Sequence, residues 1–266
     1  MPTDIHLQCF FPAHPHPSHT TTTTTFAHTV AKQSFTPVGR GFNESLTMLM
    51  GSEKHFTQRN GGKPGHVDLW ASDRPAFGQN GTYSAQLFGG YAQQALSHHA
   101  AMRPQQPLFM YLAYTVTHAP EEAPARYVDL YPKDWVAGRR MYAGMASALD
   151  ESVGNLTASL KALGMWSNTL LVFSSDNGGP ALVGGPSFAN NFPLRGGKGN
   201  DFEGGTRVLG CVSGGLVPPS QFGRSLPTGG HIHMADWYAG HVRLFGQAKA
   251  CILRLCFDYC LGIFQS

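Results

Sequence analysis

Two apolar runs separated by a long amphipathic stretch limit the folds open to this chain. "PLFMYLAYTVTHAP" (Pro107–Pro120) is continuous, apolar and bounded by prolines, the pattern of a strand buried on both faces. "RRMYAGMASALDESVGNLTASLKALG" then sets Met141, Met145, Leu149, Val153, Leu156, Leu160 and Leu163 on one helical stripe, with Gly164 as the stop. "TLLVFSS" reads as a second buried strand and "GTRVLGCVSGG" as a third. "YSAQLFGGYAQQALSHHAAM" has helical spacing, weakened by Gly89 and Gly90. Strand, helix and strand in this order predict a βαβ unit. The fold class is therefore α/β, with a mostly parallel sheet covered by helices.

The pattern does not extend over the whole chain. Residues 1–35 run from "HPHPSH" into six threonines with no helical or strand period, so they are expected to be disordered and outside the fold. Metal binding by that His/Pro stretch rests on composition alone. Residues 36–240 carry the text of a folded domain, and 241–266 form a divergent tail. A formal net charge of +3 on 266 residues is too weak to argue for nucleic acid or an anionic membrane. No run reaches transmembrane length, since Arg254 and Asp258 interrupt the closest candidate. The five cysteines (Cys9, Cys211, Cys251, Cys256, Cys260) are odd in number and form no C-x-x-C pair, which argues against a zinc knuckle or a disulfide framework. The N-terminus has no basic start followed by an apolar segment, as a signal peptide requires. Three acceptor triplets, at Asn43, Asn80 and Asn155, tilt slightly toward a secretory origin.

The chemistry concentrates in three places. "TLLVFSSDNGGP" presents Asp176 and Asn177 directly after a strand, followed by two glycines that permit a turn. Side chains alternate on a strand, so the two oxygens converge only just beyond its carboxyl end, where α/β sheets place their ligands. Carboxylate plus amide carbonyl suits Ca²⁺ or Mg²⁺ rather than zinc. D-N-G-G is also a good turn sequence, and spacing alone favours the turn. His118 stands at the carboxyl end of the other strand, aimed at the same edge. "PLRGGKGNDFEGGTRV" supplies Arg195 and Lys198 among glycines, a combination suited to an oxyanion such as sulfate or phosphate. No Ser or Thr follows Lys198, so this is not a P-loop. Glu203 and Arg207 fit a supporting ion pair.

Taken together, "RGFNESLTMLMGSEKHFTQ", "FMYLAYTVTHAPEEAP", "YAGMASALDESVGNLTASLKALGMWSNTLLVFSSDNGGP", "PLRGGKGNDFEGGTRV" and "HMADWYA" resemble the sulfatases, above all the arylsulfatase B-like branch, over roughly residues 36–240. The resemblance implies an alkaline-phosphatase-like α/β sandwich, a mixed, mostly parallel sheet between helices, here as a partial domain. It implies that Asp176 and Asn177 are two of the ligands of one Ca²⁺ ion. It also implies that His118 contacts the sulfate ester and assists the leaving oxygen, while Lys198 holds the sulfate. Asp150, Glu203, Arg207 and Asp236 lie in recurrent segments and are expected to be scaffold.

Several family segments have no counterpart in the 266 residues. There is no strand with paired aspartates and no C-x-P-S-R type segment whose cysteine becomes the formylglycine nucleophile; Cys9 stands in "QCFFPA". "HTVAKQSF" occupies the place of the family's "GKWH"-like segment, and no role passes to Lys32 or His28. The chain is therefore expected to be an incomplete sulfuric ester hydrolase, inactive as it stands, with half of its calcium site. Its substrate class would be an aryl sulfate or sulfated glycan, and its compartment lysosomal or secreted. The alternatives are a non-catalytic protein that binds sulfated glycans, and a related phosphoesterase of the same superfamily.

Overall fold

A computed structural model of the chain describes residues 5–10, 19–23, 35–60, 65–180, 188–225, 231–233 and 236–237, the first two segments as backbone only. Eight strands form one sheet: β1 (Ile5–Phe10), β2 (His19–Thr23), β3 (Glu44–Thr47), β4 (Trp70–Ala71), β5 (Arg74–Pro75), β6 (Leu108–Tyr114), β7 (Leu170–Ser175) and β8 (Gly210–Ser213). Their spatial order is β5-β4-β3-β2-β6-β1-β7-β8. Two long helices, α1 (Ser84–Met102) and α3 (Ala137–Ala162), accompany the short α2 (Ala125–Val128) and α4 (Glu203–Thr206).

The sheet is mixed. β2, β3, β5, β6 and β7 run in one direction, yet only β2–β3 and β2–β6 pair in parallel, because β1, β4 and β8 run against their neighbours. β6 and β7 are the expected parallel strands joined through α3, with β1 lying between them. The expectation that residues 1–35 lie outside the fold is thus corrected: 5–10 and 19–23 are central strands. β2 is built largely of threonine, a β-branched residue at home on a pleated sheet, so a low-complexity run still pairs as a strand. Residues 14–18 of the "HPHPSH" stretch and residues 241–266 lie outside the described residues.

Burial along the strands refines a second expectation. Leu108, Met110, Leu112 and Tyr114 of β6 are buried, whereas Phe109 and Tyr111 between them are only half-buried. The first set joins Phe88 and Leu96 of α1 and Met145, Leu149, Leu156 and Leu160 of α3 in the main core. A smaller cluster on the opposite face gathers Leu170, Val172 and Val217, with Trp237 packed against it. Among the described residues, then, the long helices cover one face of the sheet. The helical stripe read from the sequence is this core face, and Gly164 takes the positive φ of 70° expected of the stop. The third strand is shorter than its sequence suggests, because "EGGT" is helical and only Gly210–Ser213 pairs, antiparallel to β7.

The glycine pair that weakens α1 has a packing reason. A Cβ on Gly89 would sit 2.0 Å from Ser152 Oγ of α3. That hydroxyl donates to the Ala85 carbonyl (3.0 Å) and lies 2.8 Å from the Tyr114 hydroxyl. Gly89 therefore lets α1, α3 and β6 share one buried hydrogen-bonded junction, which fixes the end of β6 from which the His118 loop departs.

Candidate active site

Three segments carry the candidate groups at the edge formed by the carboxyl ends of β6 and β7. Asp176 and Asn177 follow β7 directly, and both are half-buried. The turn is locally closed: Asn177 N–H donates to Asp176 Oδ1 (2.7 Å), Asn177 Nδ2 donates to the Gly178 carbonyl (2.9 Å), and Ser175 Oγ donates to the Asn177 carbonyl (3.0 Å). The turn reading and the ligand reading are therefore compatible, since the turn orients the two side chains.

Lys198 reaches this edge through the backbone. Its N–H donates to the Gly179 carbonyl (3.1 Å), and Gly178 N–H donates to the Gly205 carbonyl (2.9 Å). Asn191 clamps the two loops together: its Oδ1 accepts from Gly179 N–H (2.9 Å), and its Nδ2 donates to the carbonyls of Gly179 (2.7 Å) and Gly196 (3.0 Å). Arg195, earlier in the same loop, lies over the Phe202 ring at 4.0 Å and is exposed.

His118 is buried at 5% exposure, in the loop after β6. Its Nδ1 lies 2.8 Å from the Ala119 carbonyl, which can only accept, so Nδ1 carries the proton of the neutral ring. Nε2 is then the nitrogen left with a lone pair. Burial holds the imidazole pKa below its ordinary value, the Ala119 hydrogen bond opposes this, and the positive charge of Lys198 adds to the lowering. Backbone bonds thus tie the Lys198 loop to the Asp176–Asn177 turn, and the His118 loop leaves β6 at the same edge of the sheet.

A buried polar layer lies beneath His118. His55, with no exposed surface, approaches the His118 carbonyl with Nε2 (2.8 Å) and the Ser84 hydroxyl with Nδ1 (2.8 Å). Its backbone N–H donates to Glu122 Oε2 (2.8 Å), and the Tyr83 hydroxyl donates to the Glu122 carbonyl (2.7 Å). Burial pushes the His55 pKa down to about 4. Glu53 is 3% exposed, accepts from the Thr115 hydroxyl at 2.6 Å, and has no partner for its other oxygen among the described residues. Burial, opposed by the Thr115 bond and reinforced by the carboxylates of Asp68 and Glu122, raises its pKa to about 8.

Sequence reasoning left Glu53, His55, Glu122 and Asn191 without roles. The available signals were the positions of "GSEKH" and "HAPEE" within apolar text and the "NNFP" turn. Arg207 Nη1 lies 3.5 Å from Glu203 Oε2, the expected ion pair, with both partners half or more exposed. Asp236 accepts from His233 N–H (2.7 Å) beside the packed Trp237, while Asp150 is exposed on α3. Cys211 is a free thiol among the described residues.

For a divalent cation, the donor chemistry fits in part. Asp176 and Asn177 are hard oxygen donors at one edge, but among the described residues no group of three His, Cys, Asp or Glu side chains forms a metal cluster. No described helix is long and apolar enough to cross a membrane.

The mixed α/β sheet carries a cation-bearing glycine loop held against an Asp-Asn strand end, and comparison with known proteins places this domain in a family. The sulfatase family profile matches residues 16–209, and the chain belongs to that family. It is 38% identical to mouse arylsulfatase J over 205 residues, which are 76% of this chain and 32% of the relative. It is 35% identical to mouse N-acetylgalactosamine-6-sulfatase over 128 residues, 47% of this chain and 23% of that protein. The chain thus spans about a third or less of the length of these relatives. The crystal structure of Ps i-CgsB in complex with k-i-k-neocarrahexaose superposes with a TM-score of 0.72 at 26% identity, covering 87% of this chain and 51% of that one. PsFucS1 sulfatase from Pseudoalteromonas sp. shares the fold, with a TM-score of 0.62 at 20% identity over 94% of this chain and 51% of that one. The alkaline-phosphatase-like α/β fold implied by the resemblance is therefore the fold of this chain, as a partial domain. Among the described residues its sheet is mixed rather than mostly parallel in its pairings, and the long helices lie on one face.

Proposed function

We propose that this chain carries the sulfate-holding part, and half of the calcium-holding part, of a sulfuric ester hydrolase of the arylsulfatase type. The observation that supports the reading most is the bond from Lys198 N–H to the Gly179 carbonyl (3.1 Å), which ties the lysine loop to the strand end bearing Asp176 and Asn177. Asp176 and Asn177 would supply two oxygens to one Ca²⁺; when bound, the ion polarises the ester oxygens. Lys198 would hold the sulfate and steady the charge that develops on it. His118 would give a proton from Nε2 to the leaving oxygen. A bound sulfate ester offsets the Lys198 charge beside the ring, which restores the affinity of His118 for that proton.

The substrate class is a sulfate ester, aryl or glycan-borne. A related phosphoesterase or a non-catalytic binder of sulfated glycans would use the same groups. Asn43, Asn80 and Asn155 are all exposed, as glycan attachment in a lysosomal or secreted protein requires. The test is turnover by a protein in which this chain is joined to a formylglycine-bearing segment. Such a protein is expected to hydrolyse 4-nitrocatechol sulfate and to lose that activity in Lys198→Ala. A protein with verified formylglycine that leaves the sulfate intact, or that cleaves only the corresponding phosphate, would contradict the reading.

A further inference from the structure

We propose that His55 is a positioning residue for His118: its neutral ring donates Nε2–H to the His118 backbone carbonyl and so sets where the His118 imidazole stands. The inference rests on the reading of His118 as the residue that serves the leaving oxygen, and it concerns a side chain that never meets substrate. His55 has no exposed surface, and both ring nitrogens are engaged within the protein.

The direction of each bond follows from the partners. A carbonyl oxygen only accepts, so the 2.8 Å contact to the His118 carbonyl requires a hydrogen on His55 Nε2. In the neutral ring Nδ1 then carries a lone pair, and the Ser84 hydroxyl donates to it at 2.8 Å. Ser84 is the first residue of α1, so one imidazole joins the start of a core helix to the loop that carries His118. The same loop is held on both sides of His118. Thr115 donates to Glu53 before it, and Glu122 after it accepts from the His55 backbone N–H. The Tyr83 hydroxyl donates to the Glu122 carbonyl as well. The groups around the assembly that carry or can take charge are Glu53, Glu122, His118 and, beyond His118, Lys198. A protonated His55 would lose its acceptor for Ser84 and add a buried positive charge beside His118, so the device works with a neutral ring. Its low pKa keeps it neutral at neutral pH.

The neighbouring side chains reinforce the geometry. The Tyr83 ring centroid lies 5.7 Å from that of His55 and 5.1 Å from that of Phe56, which closes the layer on the side of α1. An amide of matching reach can replace the donor function of Nε2, whereas an aromatic ring of similar shape cannot. That difference separates positioning from filling.

The experiment is an NMR titration of the His118 ring in the whole chain, wild type against His55→Gln and His55→Phe, with 4-nitrocatechol sulfate affinity measured on the same samples. His55→Gln keeps an N–H donor near the Nε2 position and is expected to leave the His118 titration near that of wild type. His55→Phe frees the loop and is expected to raise the His118 pKa by about one unit as the ring gains solvent. It should also weaken the sulfate ester roughly tenfold. Equal His118 titration in the two variants, whatever their melting temperatures, would overturn the proposal. Should His55→Phe fail to fold, Ser84→Ala decides: a smaller shift in the same direction supports it, and an unmoved His118 overturns it. If wild type binds no sulfate ester, the functional reading fails, while the comparison of His118 titrations still stands or falls by itself.

Discussion

Replacing Glu53 by Gln is expected to abolish the loss of stability that the wild-type chain suffers between pH 6.5 and 8. Glu53 is buried and its carboxyl is held protonated, with a pKa near 8 against an ordinary value of 4.5. The native state therefore binds a proton that the unfolded chain releases above pH 4.5. This contribution is complete below pH 4.5 and is lost as pH rises through 8, at about 1.4 kcal/mol per pH unit. From pH 4.5 to 8 it amounts to about 5 kcal/mol, of which about 2 kcal/mol falls between pH 6.5 and 8, a large share of the stability of a domain. His55 has the opposite slope: its native pKa of about 4 lies below 6.5, so stability is full above 6.5 and is lost as pH falls toward 4. Between pH 4.5 and 6.5 the two slopes oppose each other, which predicts a plateau there and a decline above it. Glutamine still accepts from Thr115 but cannot ionise, so urea unfolding of Glu53→Gln should show no decline from pH 6.5 to 8. An equal decline in both proteins would mean that Glu53 is ionised in the folded state.

The second large effect is expected at Gly178. A Cβ placed there would lie 1.7 Å from the Gly204 carbonyl oxygen and 2.8 Å from its carbon. Both atoms are backbone, so no rotamer change relieves the contact, and the strand end and the lysine loop must part. Parting them also breaks the Gly178–Gly205 and Lys198–Gly179 bonds. Gly178→Ala should cost about 3 kcal/mol or more and leave residues 188–206 open to protease, with the sheet and its main core retained. Gly154→Ala is the control. Gly154 is exposed on α3 with nothing within 4 Å of an added Cβ, and there alanine should stabilise by about 1 kcal/mol. Matching melting curves and protease maps for the two variants would refute the close approach at Gly178.

The fold was legible where burial imposes a period. The stripe from Met145 to Leu160 and the run from Leu108 to Tyr114 each declared their element and its core face. The partners of β6 were not legible, because strand order depends on contacts distant in sequence. β2 was missed because a polar run of threonines announces no buried face, although β-branched residues suit a strand, and β1, "IHLQCF", is a short alternating stretch beside low-complexity text. At the candidate site, the sequence marked the groups with obvious chemistry: Asp176, Asn177, His118 and Lys198. It was silent on Asn191, His55 and Glu53, whose significance lies in which backbone groups they meet. Those contacts join segments tens of residues apart, and no local spacing encodes them.

The central claim is that Lys198, His118 and the Asp176–Asn177 turn act as one site for a sulfate ester. Calorimetric binding of 4-nitrocatechol sulfate to this chain in the presence of Ca²⁺, wild type against Lys198→Ala, tests it most directly. The account predicts measurable binding that falls about tenfold or more when the ammonium is removed. Equal affinities for the two proteins would contradict it.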